Sequence, residues 1–394
     1  MRVQVSAPTG TVLAAAFAAL AALSGLDRIA ADNSGLPVMT DWAYARNAPY
    51  KDALAAATGN HWALSEALIS RAIAADPVNE HLIGGLGQLR LARGNPGGAD
   101  TAFRVSAQRG WRDPATHLYW MKQSIAAADF TTAALHADAL LRMPLGDAAH
   151  DQILVMLLEY DEGRTALAMR LRNHPNWAHE FAVSIDTVSD DALMARADVI
   201  GRAGPGIWTC DETSGLINWL ITHGSSREAR TVHVRSCAQS AGRSDNIVND
   251  THFVRLLADG PASGLDWVAP DNSDVAIGPA KRGTSSTGVQ VTTSRGVTLR
   301  VLAQRVFAER GTYRLTWRMP DTDAASARAL VATMGCNADL GAALAGTAVP
   351  GKPDTYQADI PFAGDCGAPA VAFWLRPSAK SVTLDDVTLI DRGK

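Results

Sequence analysis

Between His61 and Pro144 the chain repeats its apolar and small residues at a fixed step. Small residues stand at Ser65, Ala99 and Ala133, each 34 positions after the last, and the same step links Ile69, Phe103 and Ala137, then Ala72, Ser106 and Leu140. A unit of two antiparallel helices needs small side chains where the helices cross and a larger apolar residue one turn later to fill the groove. Asp76-Pro77 and Arg93-Gly94-Asn95-Pro96 supply the breaks between helices. The pattern predicts helical hairpins over Tyr50 to Ala75, Val78 to Arg109, Pro114 to Arg142 and Asp147 to Asn173. Beyond His174-Pro175 it predicts a helix over Ser189 to Ala203, a break at Gly204-Pro205-Gly206, and a last pair over Glu212 to His223 and Ser226 to Ser240.

From about Asn246 the alternation changes to a period of two. Gly288 to Thr293, Val297 to Phe307, Thr312 to Met319, Ala327 to Met334, Thr355 to Phe362, Ala370 to Leu375 and Val382 to Ile390 read as short strands separated by Gly, Pro, Asp and Asn turns. Strands without intervening helices predict an antiparallel sandwich. The expected fold class is therefore multidomain α and β, an α-solenoid followed by a β-sandwich.

The repeating unit, with Leu86-Gly87 on its first helix and Ala99 and Phe103 on its second, resembles the tetratricopeptide repeat family. The resemblance implies a helical repeat domain over residues 49–243 whose concave groove takes up an extended peptide or a helix of a protein partner. Candidate groove residues are polar and aromatic positions of the first helices: Arg90, Tyr119, Trp120 and Lys122. At helical spacing Trp120 is more often a core residue than a ligand platform, and Arg90 belongs to a solvated face.

Asn246-Ile-Val-Asn249-Asp250 followed by Phe253, Leu265-Asp266-Trp267, and the closing Ser381-Val-Thr-Leu-Asp385-Asp386-Val-Thr-Leu389 resemble the galactose-binding-like jelly rolls of carbohydrate-binding modules. The resemblance covers residues 244–394. That family places a glutamate after the phenylalanine, and this acid with the closing aspartates holds a structural calcium; Val254 stands there in this chain. A hard cation wants six to eight oxygens, so no metal is expected. Sugar sites in such modules set an aromatic ring against the apolar face of a pyranose beside a few polar groups. Trp267, Trp317 and Trp374 are the available rings. Along Tyr313-Arg-Leu-Thr-Trp317, alternation assigns Trp317 to the core. Phe373 and Trp374 point to opposite faces, which makes Trp374 with Arg376 on the same side the better glycan candidate; Trp267, beside Asp266 in the opening segment, is a further one, or else seals the junction with the helical domain. The helical half, the sandwich, Trp317 and paired Cys336 and Cys366 together are similar to envelope proteins linked with polysaccharide production in bacteria, a likeness at the level of the fold.

Composition narrows the picture. At 394 residues with 47% apolar and 19% charged content, the chain can bury more than one core. A formal charge of -4 leaves no basic excess for phosphates, which excludes nucleic acid as an expected partner. The uncharged run Thr11 to Leu26 fits the apolar core of a secretory signal, or a membrane anchor, in a leader over residues 1–26. A linker is expected over 27–48, and an anchor would hold the protein at the inner membrane. The four cysteines fall as two separated pairs. Cys210 opens one helix and Cys237 ends its antiparallel partner, so a bridge between them would staple the last hairpin, and a second is expected between Cys336 and Cys366. Free buried thiols are the alternative. No C-x-x-C exists, which speaks against metal ligation by all four cysteines.

No G-x-S-x-G, H-E-x-x-H, phosphate-binding loop or dinucleotide fingerprint occurs, and the adjacent acid pairs diverge on either a strand or a helix. No catalytic residues and no cofactor are therefore expected. The expected function is a non-catalytic exported scaffold or adaptor of the periplasm or cell envelope, with the solenoid on a protein partner and the sandwich on polysaccharide. The alternatives are a polysaccharide-acting enzyme whose distant acids converge and a purely structural adaptor.

Overall fold

The computed structural model describes residues 12, 14–23, 25, 47–110, 112–237, 245–258, 264–271, 273–280, 288–294, 296–337, 339–379 and 381–393. Residues 14–23 of the expected leader are helical, whereas 26–46, most of the expected linker, and 238–244, which hold the expected 243/244 boundary, lie outside the described residues. No helix among the described residues is long and apolar enough to cross a membrane. The chain divides into two compact units, Met1–Leu154 and Val155–Lys394. The predicted boundary marks a change of secondary structure, while the compact units divide within a helix further back.

In the first unit, α1 (Asn47–Thr58) pairs with α2 (Trp62–Ala75), α3 (Glu80–Ala92) with α4 (Pro96–Arg109), and α5 (Pro114–Ala126) with α6 (Phe130–Leu141). Helix α7 (Asp147–Leu158) runs across the division. The sequence period is physically real: all nine residues of the three 34-step series are at most 1% exposed. The caps repeat with it. Asn79 and Asp113, then Asn95 and Asp129, accept backbone N–H groups at the starts of α3, α5, α4 and α6, and proline opens α4 and α5. Each such cap contributes about 1 kcal/mol. Two of the small crossing residues are also polar ties, since Ser65 Oγ donates to the carbonyl of Ala53 at 2.6 Å and Ser106 Oγ to that of Glu80 at 3.0 Å. Gly87 lets α3 approach α4 so closely that a Cβ there would lie 2.8 Å from the Phe103 ring.

The second unit begins with helices α8 (Asp161–Leu171), α9 (Ala178–Val183), α10 (Asp190–Ala203), α11 (Cys210–Thr222) and α12 (Ser226–Ser236). The six-residue α9 was not foreseen, being too short to show a period. Buried Arg196 secures its end by donating to the carbonyls of Phe181 at 3.3 Å and Ser184 at 2.7 Å, with its guanidinium 5.3 Å from the Phe181 ring. Thr209 and Glu212 form a reciprocal capping box on α11. Cys210 bridges to Cys237 across the ends of α11 and α12, as expected, and Cys336 bridges to Cys366. Two disulfides suit an oxidising, extracytoplasmic compartment.

The rest of this unit is a two-sheet antiparallel sandwich. Its strands are β1 (Val275–Pro279), β2 (Val289–Thr293), β3 (Leu299–Arg305), β4 (Gly311–Arg318), β5 (Leu330–Gly335), β6 (Leu344–Ala345), β7 (Thr347–Ala348), β8 (Thr355–Phe362), β9 (Ala370–Leu375) and β10 (Ser381–Asp391). One sheet runs β1-β2-β10-β4-β8-β7, the other β3-β9-β5-β6. A short helix, α13 (Ala324–Ala329), occupies the start of the stretch predicted as a strand from Ala327, because Asp323 caps it by accepting from Ala325 and Ser326. Alternate residues of both sheets meet in one core, where Trp317 packs edge-on to Phe373 at 5.6 Å. At Gly346 the chain passes from β6 in one sheet to β7 in the other, beneath the Trp317 ring. The last helical hairpin packs on this sandwich: Ser226 Oγ donates to the Cys366 carbonyl at 3.1 Å, Arg255 pairs with Asp211, and His233 meets Phe307 with ring centroids 5.8 Å apart.

Candidate functional site

Strand β9 lies between β3 and β5, and its alternation sends Val371, Phe373 and Leu375 into the core and Ala370, Ala372 and Trp374 to the other face. Ala303, paired opposite Ala372, is as small as its partner, so Trp374 stands beside low ground. The indole is half-buried, and its Nε1 donates to Thr333 Oγ1 at 3.3 Å, which fixes the ring's orientation. Residues directly opposite in an antiparallel pair share a face. Trp374 is opposite Arg300 on β3 and Val331 on β5. Val331 and Thr333 are buried and Arg300 is exposed, which leaves the Arg300 side as the open approach to the ring. Arg376, two residues further along the chain, is exposed as well. An aromatic face flanked by guanidinium donors can cover the apolar side of a sugar and hold its hydroxyl or carboxylate oxygens. Arg300 is hidden at the level of sequence because only the β3–β9 register places it beside Trp374.

Trp267 corrects an expectation. It is 1% exposed and packed between Phe253 at 5.3 Å and Phe373 at 5.8 Å, so neither ring face is open to a sugar. Its neighbour Asp266 is buried too and is met by Arg255 Nε at 3.2 Å, which makes the opening segment a plug in the sandwich.

The acids of the opening and closing motifs do converge, but on protein donors. Asp250 accepts from the backbone N–H groups of Val254, Arg255 and Leu256 at 2.7, 2.9 and 3.3 Å. Buried Asp385 accepts from the Asp386 N–H at 2.9 Å, meets His252 Nδ1 at 2.8 Å and has Arg318 at 3.9 Å. Carboxylate oxygens already engaged by N–H groups and side-chain cations do not fit a calcium ion.

The four groove candidates are not gathered into one groove. Arg90 is half-buried, bonded to Glu66 at 3.1 Å and to the Gly98 carbonyl at 3.2 Å, so it braces α2, α3 and α4. Tyr119 stacks on Phe103 at 4.2 Å and donates to Asp100 Oδ1 at 3.2 Å; burial, then the Asp100 charge, raise its pKa. Trp120 sits edge-on to Tyr119 at 5.1 Å and is half-buried, whereas Lys122 is exposed. Two concave spaces among the described residues have other linings. An apolar pit of about 290 Å³ in the first unit is lined by Ala53, Leu54, Ala57, Trp62, Ile69 and Leu89. A cleft of about 550 Å³ in the second is lined by Val155, Leu158 and Met194, with Glu159, Asp191 and an Asp198–Arg164 ion pair at 2.7 Å among its polar groups. Sequence periodicity marks which residues pack between helices but not where neighbouring hairpins part, which is why the cleft was missed.

No protein-family model matches the chain, and no curated protein matches it. Among solved structures, the chain is similar to TmCBM61, solved in complex with β-1,4-galactotriose, at 13% identity and a TM-score of 0.20, over 38% of this chain and 100% of that one. A likeness at that score carries no argument about the ligand of this chain.

Proposed function

We propose that the protein is an exported, non-catalytic adaptor of the cell envelope, whose sandwich holds a polysaccharide at Trp374, Arg300 and Arg376 and whose tetratricopeptide-like hairpins hold a protein partner. The observation that carries the reading is the oriented, half-buried indole with exposed Arg300 opposite it on β3 and exposed Arg376 two residues along the chain. Two cations favour a sugar bearing carboxylates, as in an acidic exopolysaccharide being made or exported. Hydrolysis of a glycosidic bond takes two converging carboxylates, whereas the groups assigned to this site are Trp374, two arginines and the Thr333 hydroxyl. The disulfides support an extracytoplasmic location such as the periplasm. The cleft between helices of the second unit, with Glu159 and Asp191 on its lining and Asp198 already paired with Arg164, is the space offered to a partner helix.

Calorimetry of the full chain against a uronate-containing and a neutral polysaccharide tests the sandwich. Binding is expected for the acidic polymer, with at least a tenfold loss in Trp374→Ala and Arg300→Ala and unchanged thermal unfolding. No heat with either polymer, or a Trp374→Ala variant that simply unfolds, would make the sandwich a structural brace and remove the glycan reading.

A further inference from the structure

The end of the last helical hairpin holds more than a cross-link needs. Cys210 opens α11, Cys237 closes α12, and a ring nitrogen of His233 lies within 4.8 Å of both sulfurs. His233 and Cys237 are four positions apart, so both leave the same side of the helix toward Cys210. Nδ1 of His233 is buried and has no hydrogen-bond partner among the described residues. Buried polar atoms of folded proteins are nearly always paired, and an exception points to a role or to an absent ion. We propose that on reduction of this disulfide Cys210, His233 and Cys237 become the ligands of a thiophilic divalent cation of the zinc class.

Two thiolates and an imidazole are the donor set such an ion prefers over harder cations. Tetrahedral zinc, at roughly 2.3 Å from sulfur and 2.0 Å from nitrogen, holds its donors roughly 3.5 to 3.8 Å apart, inside the span this group already has. Once reduced, the sulfurs would have to part from bonding distance to that spacing, with Cα atoms 4.6 Å apart. Cys210 and His233 are half-buried, which leaves solvent a path to the fourth position. The reaction balances with a phosphine as reductant: it passes two electrons to the sulfur–sulfur bond and becomes its oxide with the oxygen of water, leaving two thiols. The cation then displaces both thiol protons. The metal would tie the same two helix ends that the disulfide ties, and nothing in this depends on the glycan reading. Cysteine spacing alone does not reveal the site, because its third ligand is a histidine four residues before Cys237.

The test is titration of the full chain with Co²⁺ and Zn²⁺ under anaerobic phosphine, read by the visible bands of tetrahedral thiolate cobalt. One Co²⁺ per chain, displaced by Zn²⁺, is expected for the reduced protein and for reduced Cys336→Ser/Cys366→Ser, with none for the oxidised protein. His233→Ala should weaken binding at least tenfold. If reduction alone loosens the hairpin, Zn²⁺ should restore its helical circular dichroism. The site is overturned by absent tetrahedral bands, by equal affinity in His233→Ala, by loss of binding in the Cys336→Ser/Cys366→Ser protein, or by a loosened hairpin that Zn²⁺ does not restore.

Discussion

The hairpins of the first unit and the sandwich of the second reach dry interiors by opposite means. Where the hairpins cross, the fully buried residues are largely Ala72, Ala99, Ala133, Ala137, Ser65 and Ser106, and close backbone approach replaces bulk. The sandwich instead fills its space with Trp267, Trp317, Phe253 and Phe373, brought together from distant segments. In the first case contacts stay within a hairpin or reach the next one, and stability adds up unit by unit. In the second a single ring touches both sheets. A lesion in the hairpins should therefore act by crowding and stay moderate, whereas one in the sandwich should act by leaving a void and spread.

The largest expected effect is Trp317→Ala, which removes a fully buried ring that also meets Tyr356 at 6.4 Å and covers Gly346. Chemical denaturation should show a loss of about 3 to 5 kcal/mol; a loss as small as a surface change would break the contrast. Next is Ala99→Leu, at a position with no exposed surface. Overpacking there should cost about 1 to 3 kcal/mol, with the sandwich's own unfolding unchanged. If the variant is as stable as the parent, the crossing is looser than the period implies.

The smallest effect sharpens the polar side of the same contrast. On α5 and α6 the Nδ1 atoms of His117 and His136 are 2.9 Å apart, and burial, then the His117 charge, lower the His136 pKa from 6.5 to about 4. Its folded-state pKa is below its unfolded value, so the unfolded chain binds the proton first. Stability is then full above pH 6.5 and declines as pH falls toward 4. Full linkage would give roughly 3 kcal/mol, and partial exposure reduces this to about 1 to 2 kcal/mol. Unfolding of the parent and His136→Asn should differ in pH dependence across that window and run parallel above it.

The same contrast explains what the sequence could show. Crossing positions such as Ser65, Ala99 and Ala133 were legible because their contacts are local, within a hairpin or to the next, and recur at a fixed step. Inward and outward faces of β9 were legible from alternation, which separated Phe373 from Trp374. Register was not: nothing near Leu299 or Arg300 says that β3 pairs with β9, so Arg300 stayed hidden and Trp267, near the start of its segment, looked free when it is enclosed. Strand β1 was missed as well, because its five residues include Gly278 and Pro279.

The crossing at Gly346 bears on how the molecule behaves in a crowd. Leu344–Ala345 and Thr347–Ala348 finish one margin of each sheet with strands only two residues long. Each covers part of the longer strand beneath it, β6 pairing with Val331 and Ala332 and β7 with Tyr356 and Gln357, and so shortens the row of open amides onto which a neighbouring chain could add a strand. At the far margin of the six-stranded sheet β1 ends in Pro279, which has no N–H to offer. Strand addition by a neighbouring copy is thus made harder at these three margins.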